Sequence, residues 1–479
     1  MDDECAIIDR AAKPVKETLR LFLAGTGEHE HPPLYDILFH GWLRLTTGNI
    51  YLLRIPSILF YIFGAWVLST AAKRLGGSRS QFWTLLITVL SPFGFHFGRL
   101  ATWYPFCFLL VSLLTLAYFK FLDNPTVANW RWLVAASTAL IYANYLGWAF
   151  LGLLGIDYAI RNRHDLLDAT RHLVLTGTTL VIAYLPILRS FQKEAEMGPR
   201  LHFFSFVAIA NILYNVAYNI YSIFVSESVA PWHWAIGLPT TIIVAFCLLL
   251  TLMWAPPQAE AFLFYFLGLI VFLAALGAII PKRIVFMAPW LLLSIGVTLG
   301  TMTNRVARRT LLAMLAFCAS IGWYGICSRS LYGAPHWVEP WESIARRSAD
   351  IVNERGVVIG NNPSFFFYLT YLLPVGGPHM QKRDFAGLLP NSVRRPGVYD
   401  PQQWIASGRP TASKTLLVKG VHYGTSEDLT AETQSGLDTL CTLASSERLV
   451  RDSGAALKQS SPTMVPPEWR IEVRTYSCP

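Results

Sequence analysis

The chain has 479 residues, of which 53% are hydrophobic, 14% aromatic and only 14% charged, and its formal net charge is +9. A water-soluble globular protein carries about 25% charged residues, so most of this chain has too little polar surface to face water. Residues 331–479 hold 15 Lys/Arg against 14 Asp/Glu, an ordinary soluble balance, so the positive excess lies upstream in short basic loops. It forms no concentrated basic patch, which argues against nucleic acid as a partner.

Taken in chain order, residues 1–50 open with Met1-Asp2-Asp3-Glu4, with neither an apolar segment nor a signal peptide ahead of them. The expectation is that a first transmembrane helix lies upstream of this start. His31-Pro32-Pro33-Leu34-Tyr35 follows, its two prolines stiffening the backbone ahead of a helix start. Apolar runs then occupy 51–72, 81–98, 104–122, 172–190, 233–254, 260–280, 284–301 and 310–328. Each is long enough, or nearly so, to cross a hydrocarbon core of about 30 Å as a helix. Residues 132–160 form one further apolar stretch, interrupted at Tyr142-Ala143-Asn144-Tyr145-Leu146-Gly147, which predicts two short helices and a break. The count is about ten spans.

Beyond residue 330 the pattern becomes that of a small α/β unit. Glu342–Asn353 reads as a helix, Val357–Gly360 as a strand, and Asn362-Pro363 as another helix start. Residues 374–413 read as a long loop, Thr415–Val421 and Trp469–Tyr476 as strands, and Glu427–Leu443 as the helix between them. Seven cysteines are scattered without a CxxC pair, which argues against a zinc or redox motif. Cys441 and Cys478 share the tail; they pair if it faces an oxidising compartment and otherwise stand as two thiols.

The loops give an independent reading of topology. Lys73, Arg74 and Arg79, then Lys120 and Arg131, then Arg161, Arg163 and Arg171, and finally Arg305, Arg308 and Arg309 mark cytoplasmic loops by the positive-inside rule. Alternation then requires 132–160 to be a hairpin and 190–232 a long outer loop. It places residues 1–50, the 97–104 segment, the Tyr142–Gly147 break, Pro281-Lys282-Arg283 and the tail on the outer side.

Ionisable groups gathered at one face of a bundle point to a site, because holding them there is costly. Asp3 and Glu4 read as a general base or as ligands for a divalent cation, or else as a solvated acidic start. His31 reads as a phosphate ligand or proton carrier, or as the exposed residue before a structural turn. Arg54, Arg99, Lys282 and Arg283 each suit either an anionic phosphate or simple snorkelling to the headgroups. Arg99 stands three residues before Thr102, which would put the two on one face of a helix.

The order of these motifs resembles the C-type glycosyltransferase superfamily, most closely the bacterial branch related to protein mannosyltransferases and the aminoarabinose transferase of lipid A. The acidic pair comes first, then HPPLY, then Leu53-Arg54-Ile55-Pro56-Ser57. Ser91-Pro92, the Tyr104 motif, the Asn144-Tyr145 break and Pro281-Lys282-Arg283 follow. The resemblance covers roughly residues 2–330. It implies a mainly α, polytopic transmembrane bundle (51–330), preceded by an outer loop (1–50) and followed by a small extracytoplasmic α/β domain (331–479), in a bacterial cytoplasmic membrane. It implies an inverting transferase that takes sugar from a polyprenyl-phosphate carrier among the membrane lipids and passes it to an acceptor hydroxyl.

In that family's terms Asp3, with Glu4 beside it, is the base and His31 binds carrier phosphate. Arg54, Arg99, Lys282 and Arg283 supply further basic groups, while Tyr35, Tyr104, Asn144 and Tyr145 line the sugar or acceptor pocket. A divalent cation, if used, falls to Asp3 and Glu4. The chain departs from the family where Glu-Ala-Arg-Met-Tyr is replaced by Leu100-Ala101-Thr102-Trp103-Tyr104, and where His-Tyr is replaced by Asn144-Tyr145. Two other readings stand beside the enzyme. One is an inactive relative that binds lipid-linked sugar or a partner transferase. The other is a secondary transporter, although transporters place polar groups near mid-membrane rather than at one face.

Overall fold

The structure is a computed structural model that describes residues 7–8, 10–24, 32–46, 50–189, 192, 206–231, 235–276, 281–328, 341–360, 398–399, 401–420, 427–449 and 471–479. The chain divides into two compact units, one of Met1–Pro14, His40–Leu53 and Ala334–Pro479, the other of Val15–Phe39 and Arg54–Gly333.

The larger unit is helical. Its elements begin with α1 (Val15–Ala24) and the part of α2 (Leu34–Thr46) up to Phe39, so residues expected to be outer loop contain two helices. The helix start predicted after Pro32-Pro33 is borne out at Leu34. Next comes α3 (Ile50–Val89), broken at Gly76 and Gly77. Gly77 has φ 73°, a left-handed conformation that residues with a Cβ rarely adopt, so two helices meet in a tight corner where a basic loop was expected. Ser91 accepts a hydrogen bond from the Gly94 N–H at 3.1 Å and so caps α4 (Pro92–Gly98), with proline in the first turn.

Helices α5 (Tyr104–Asp123), α6 (Val127–Ala143), α7 (Gly147–Arg161) and α8 (Leu166–Tyr184) follow. The break between α6 and α7 falls where it was predicted. Asn144 leaves the helix with extended backbone, and its Oδ1 accepts from the Leu146 N–H at 2.8 Å, an Asx turn that stops one helix and starts the next.

Residues 190–232, expected to be a long outer loop, contain the apolar helix α9 (Phe206–Val225), which packs against α4 and later helices. The unit closes with α10 (Gly237–Trp254), α11 (Pro257–Ala275), the short α12 (Pro281–Ile284), α13 (Ala288–Thr301) and α14 (Arg305–Ser328).

Among the described residues five helices, Leu52–Val89, α5, α10, α11 and α14, are long and apolar enough to cross a membrane. Their burial differs. The apolar window of α5 is 78% buried whereas those of α10 and α14 are 28% buried. So α5, with the almost wholly buried α13, forms the centre, and α10 turns Leu238, Ile242, Phe246 and Leu249 outward toward lipid. Trp290 ties the centre together: its Nε1–H donates to Thr115 Oγ1 at 3.0 Å, and Phe150 and Phe262 pack edge-on against its ring. The chain is a multi-pass membrane protein.

The smaller unit carries the predicted α/β pattern. Helix α15 (Trp341–Asn353) precedes β1 (Val357–Gly360). Then come β2 (Val398–Tyr399), α16 (Pro401–Ala406), β3 (Lys414–Gly420), α17 (Glu427–Leu440), β4 (Thr442–Leu449) and β5 (Ile471–Ser477). The sheet order is β2-β1-β3-β5-β4, with β1 parallel to β2 and β3, and β5 antiparallel to β3 and β4. On one face Val357, Ile359, Leu417 and Tyr476 pack with Trp404 and Leu437. The helix predicted to reach Leu443 stops at Leu440, and Thr442–Leu449 is an unforeseen strand paired with β5. Cys441 and Cys478 are joined as a disulfide with Cα atoms 4.4 Å apart, the first of the two alternatives open in the sequence. The helix start at Asn362-Pro363 lies outside the described residues.

Candidate functional site

Three sequence motifs meet in the helical unit. Tyr35, from the segment after the two prolines, is buried and its hydroxyl lies 3.4 Å from Ser57 Oγ. Ser57 comes from the LRIPS segment and donates in turn to the Thr102 carbonyl at 3.4 Å. Thr102 belongs to the stretch between α4 and α5. Rings fasten the same three segments. Tyr35 stacks on Phe39 at 5.5 Å and meets Phe106 at 6.0 Å, and Phe106 also meets Phe60 at 5.0 Å.

A fourth segment joins through aromatic contacts. The rings of Trp103 and Tyr104 lie 4.2 Å apart, and Trp103 lies 6.0 Å from Phe286, just after α12. Phe286 is also 5.7 Å from Phe150 of α7. Motifs separated by up to 250 positions in the chain therefore share one neighbourhood, which no local pattern could have shown.

The cationic candidates are placed around it. Arg54 is half-buried on α3, one helical turn ahead of Ser57. Arg99 is half-buried at the end of α4, its guanidinium 5.5 Å from the centre of the Phe95 ring. Arg283 is half-buried in α12, two residues before the buried Val285. Lys282 belongs to the same turn, with its side chain outside the description. Residues 99–103 are not helical, so Arg99 and Thr102 do not share a helix face as their spacing implied. The Leu100–Trp103 backbone instead turns sharply, with the Thr102 N–H bonded to the Leu100 carbonyl at 2.7 Å.

Asn144 is buried, but its side-chain oxygen is committed to the turn between α6 and α7. Tyr145 packs with Phe22, Ile141, Leu180, Tyr184 and Ile187, a cluster that fixes the hairpin tip. Asp3, Glu4 and His31 lie outside the described residues. Among the described residues no three His, Cys, Asp or Glu side chains gather in a way that could hold a metal ion.

Sequence reading passed over several buried polar groups. Asp36, directly after Tyr35, is 4% exposed in the first turn of α2, where the helix dipole favours a carboxylate. His96 and Glu227 are 2% and 7% exposed. Asp36 was legible as an acid beside a recognised motif. Glu227 was not, because its surroundings were read as loop.

Comparison with solved structures bears out the resemblance at the level of fold. ArnT from Cupriavidus metallidurans in the apo state superposes with a TM-score of 0.56, and the same protein bound to undecaprenyl phosphate with 0.53. Each is 16% identical to this chain, and each alignment covers 99% of this chain and 93% of that one. No family model and no curated protein matches the sequence.

Proposed function

We propose that this chain is an inverting glycosyltransferase that takes a sugar from a polyprenyl-phosphate carrier and passes it to an acceptor hydroxyl on the outer side of a bacterial cytoplasmic membrane. The observation that carries this reading is agreement in fold along nearly the whole chain with a protein solved bound to undecaprenyl phosphate. Fold alone does not fix function, so the weight then passes to the residues.

The reaction needs two kinds of help. The acceptor hydroxyl attacks the anomeric carbon from the face opposite the phosphate; as the new C–O bond forms, the bond to the phosphate oxygen breaks, inverting the centre. Asp3, supported by Glu4, takes the hydroxyl proton. The bonding pair leaves with the lipid phosphate, whose growing charge is met by His31, Arg54, Arg99, Lys282 and Arg283. Tyr35, Tyr104 and Tyr145 border the space for sugar and acceptor.

The second reading is an inactive relative that still binds lipid-linked sugar. Asn144 favours it, since its carboxamide already serves the Leu146 N–H and carries no titratable proton.

The test is turnover by the purified full chain in lipid nanodiscs supplied with polyprenyl-phosphate sugars. Asp3→Asn is expected to lower sugar release by about 100-fold or more, the scale of a lost general base. Unchanged turnover removes Asp3 from that role. Absence of turnover with every donor, alongside binding of bare polyprenyl phosphate, decides for the inactive relative.

A further inference from the structure

Helix α9 carries a polar stripe that an apolar helix in a membrane bundle does not need. Asn215, Tyr218, Asn219 and Ser222 recur at helical spacing, half-exposed at first and fully buried by Asn219. Polar groups inside a membrane bundle face its interior or a ligand rather than lipid, and they are retained for function.

The stripe ends in an unusual turn. Ser226 takes the left-handed conformation, φ 68°, at the position where helices usually place glycine. Its N–H still closes the helix on the Ser222 carbonyl at 2.6 Å. The chain then reverses, and Glu227 lies buried with its Oε1 accepting from the Tyr218 hydroxyl at 3.4 Å. A residue in a sparsely populated backbone region persists only where its surroundings over-determine it, and such residues concentrate at functional sites.

Those surroundings are visible. Ser228 Oγ donates to the Gly322 carbonyl of α14 at 2.9 Å. A Cβ on Gly322 would sit 2.5 Å from the Val225 carbonyl oxygen, and one on Gly325 2.6 Å from that of Ser228. The turn is therefore clamped against α14 by two glycines, which holds the carboxylate in place.

Three further polar atoms in this region, Asn219 Oδ1, Tyr221 Oη and Ser226 Oγ, are buried without a hydrogen-bond partner among the described residues. Leaving such groups unmet is costly, so a set of them beside a buried carboxylate calls for a ligand rich in hydroxyls. The position fits. Helix α9 packs on α4, which ends at Arg99, and on α12, which carries Arg283. In a glycosyl phosphate the sugar ring is one oxygen away from the phosphate, so groups that read its hydroxyls must lie next to those that hold the phosphate.

We propose that Glu227, with the polar stripe of α9, binds hydroxyl groups of the carrier-borne sugar; this rests on the glycosyltransferase reading above. The carboxylate accepts hydrogen bonds from ring hydroxyls, and the unpartnered amide and hydroxyl oxygens meet the remainder.

The test uses the full chain in detergent and native mass spectrometry with four probes: bare undecaprenyl phosphate, and the same lipid carrying mannose, glucose or galactose. The wild type is expected to hold at least one glycosylated probe more tightly than the bare lipid. Glu227→Gln should weaken that probe about 10- to 100-fold, as expected for loss of a charged hydrogen-bond acceptor, and leave the bare lipid unchanged. Tyr218→Phe, a milder change that removes one hydrogen bond holding the carboxylate in position, should weaken the same probe by a smaller factor. The proposal is overturned if both variants bind every probe as the wild type does, or if the bare lipid weakens in parallel. A wild type that binds the bare lipid but no sugar-bearing form more tightly also overturns it, leaving the phosphate site standing. Failure to bind any of the four removes the transferase reading itself.

Discussion

Asp157 ties together three helices of the helical unit, and the effect of replacing it should be measurable. It is 2% exposed on α7. Its Oδ2 accepts from the Tyr118 hydroxyl of α5 at 2.5 Å and from Arg161 Nε at 2.6 Å, and its Oδ1 from the Tyr265 hydroxyl of α11 at 2.7 Å. One carboxylate thus joins three helices. Hydrogen bonds to a charged partner contribute about 1.5–3 kcal/mol each, and breaking a buried charged network by deleting one member costs about 3–5 kcal/mol. Asp157→Ala falls in that range. It strands the hydroxyl of the buried Tyr118, while Arg161, whose side chain is 30% exposed, can turn away. Asp157→Asn keeps an acceptor and should cost about half as much. With an unfolding entropy of about 2.1 cal/mol/K per residue, the whole chain has roughly 1 kcal/mol/K, so Asp157→Ala should lower the melting temperature by about 3–5 °C. The assay is recovery of the detergent-solubilised protein in its native size-exclusion peak after heating. An Asp157→Ala protein that melts within about 1 °C of the wild type would refute the argument, because the network would then contribute nothing net.

Two further outcomes follow from packing and charge. Gly300 faces the second half of α3, and a Cβ there would lie 2.6 Å from the Ser80 backbone N and Cα, so Gly300→Ala should destabilise by about 1–3 kcal/mol in the same heating assay. In the smaller unit, burial pushes the Tyr476 phenol up to about 12 from the ordinary 10.0; Arg474 opposes the rise, and the Asp438 carboxylate, to which the hydroxyl donates at 2.9 Å, adds to it. Its contribution is complete below pH 10 and is lost as pH rises toward 12, since only the unfolded chain ionises in that window; Tyr476→Phe should flatten that part of the alkaline unfolding curve.

Much of this architecture is legible because it rests on short-range rules. The apolar runs had to be helices, since lipid leaves no other partner for backbone groups. The break at Asn144 was visible because an Asn beside Tyr145, Leu146 and Gly147 offers a local hydrogen bond that competes with the helix. Strand Val357–Gly360 and the helix after Pro32-Pro33 follow from composition over a few residues. The fold class, and the order of motifs that points to it, required nothing more.

What was illegible depends on partners far along the chain. Helix α9 was missed because alternation of the basic loops required 190–232 to lie outside, and Asn215 and Asn219 interrupt its apolar run; within the helix Asn219 donates back to the Asn215 carbonyl at 2.6 Å, and Ser228 with two glycines of α14 holds the turn that follows. Strand β4 was missed because the ladder that defines it pairs with β5, which is reached only after the intervening 450–470 stretch. The meeting of Tyr35, Ser57 and Thr102, the junction of α5, α7 and α11 at Asp157, and the burial of Glu227 likewise have no local signature. Periodicity reports which face of a segment is apolar, whereas the identity of the group across from it is set by packing, and packing is a property of the assembled bundle.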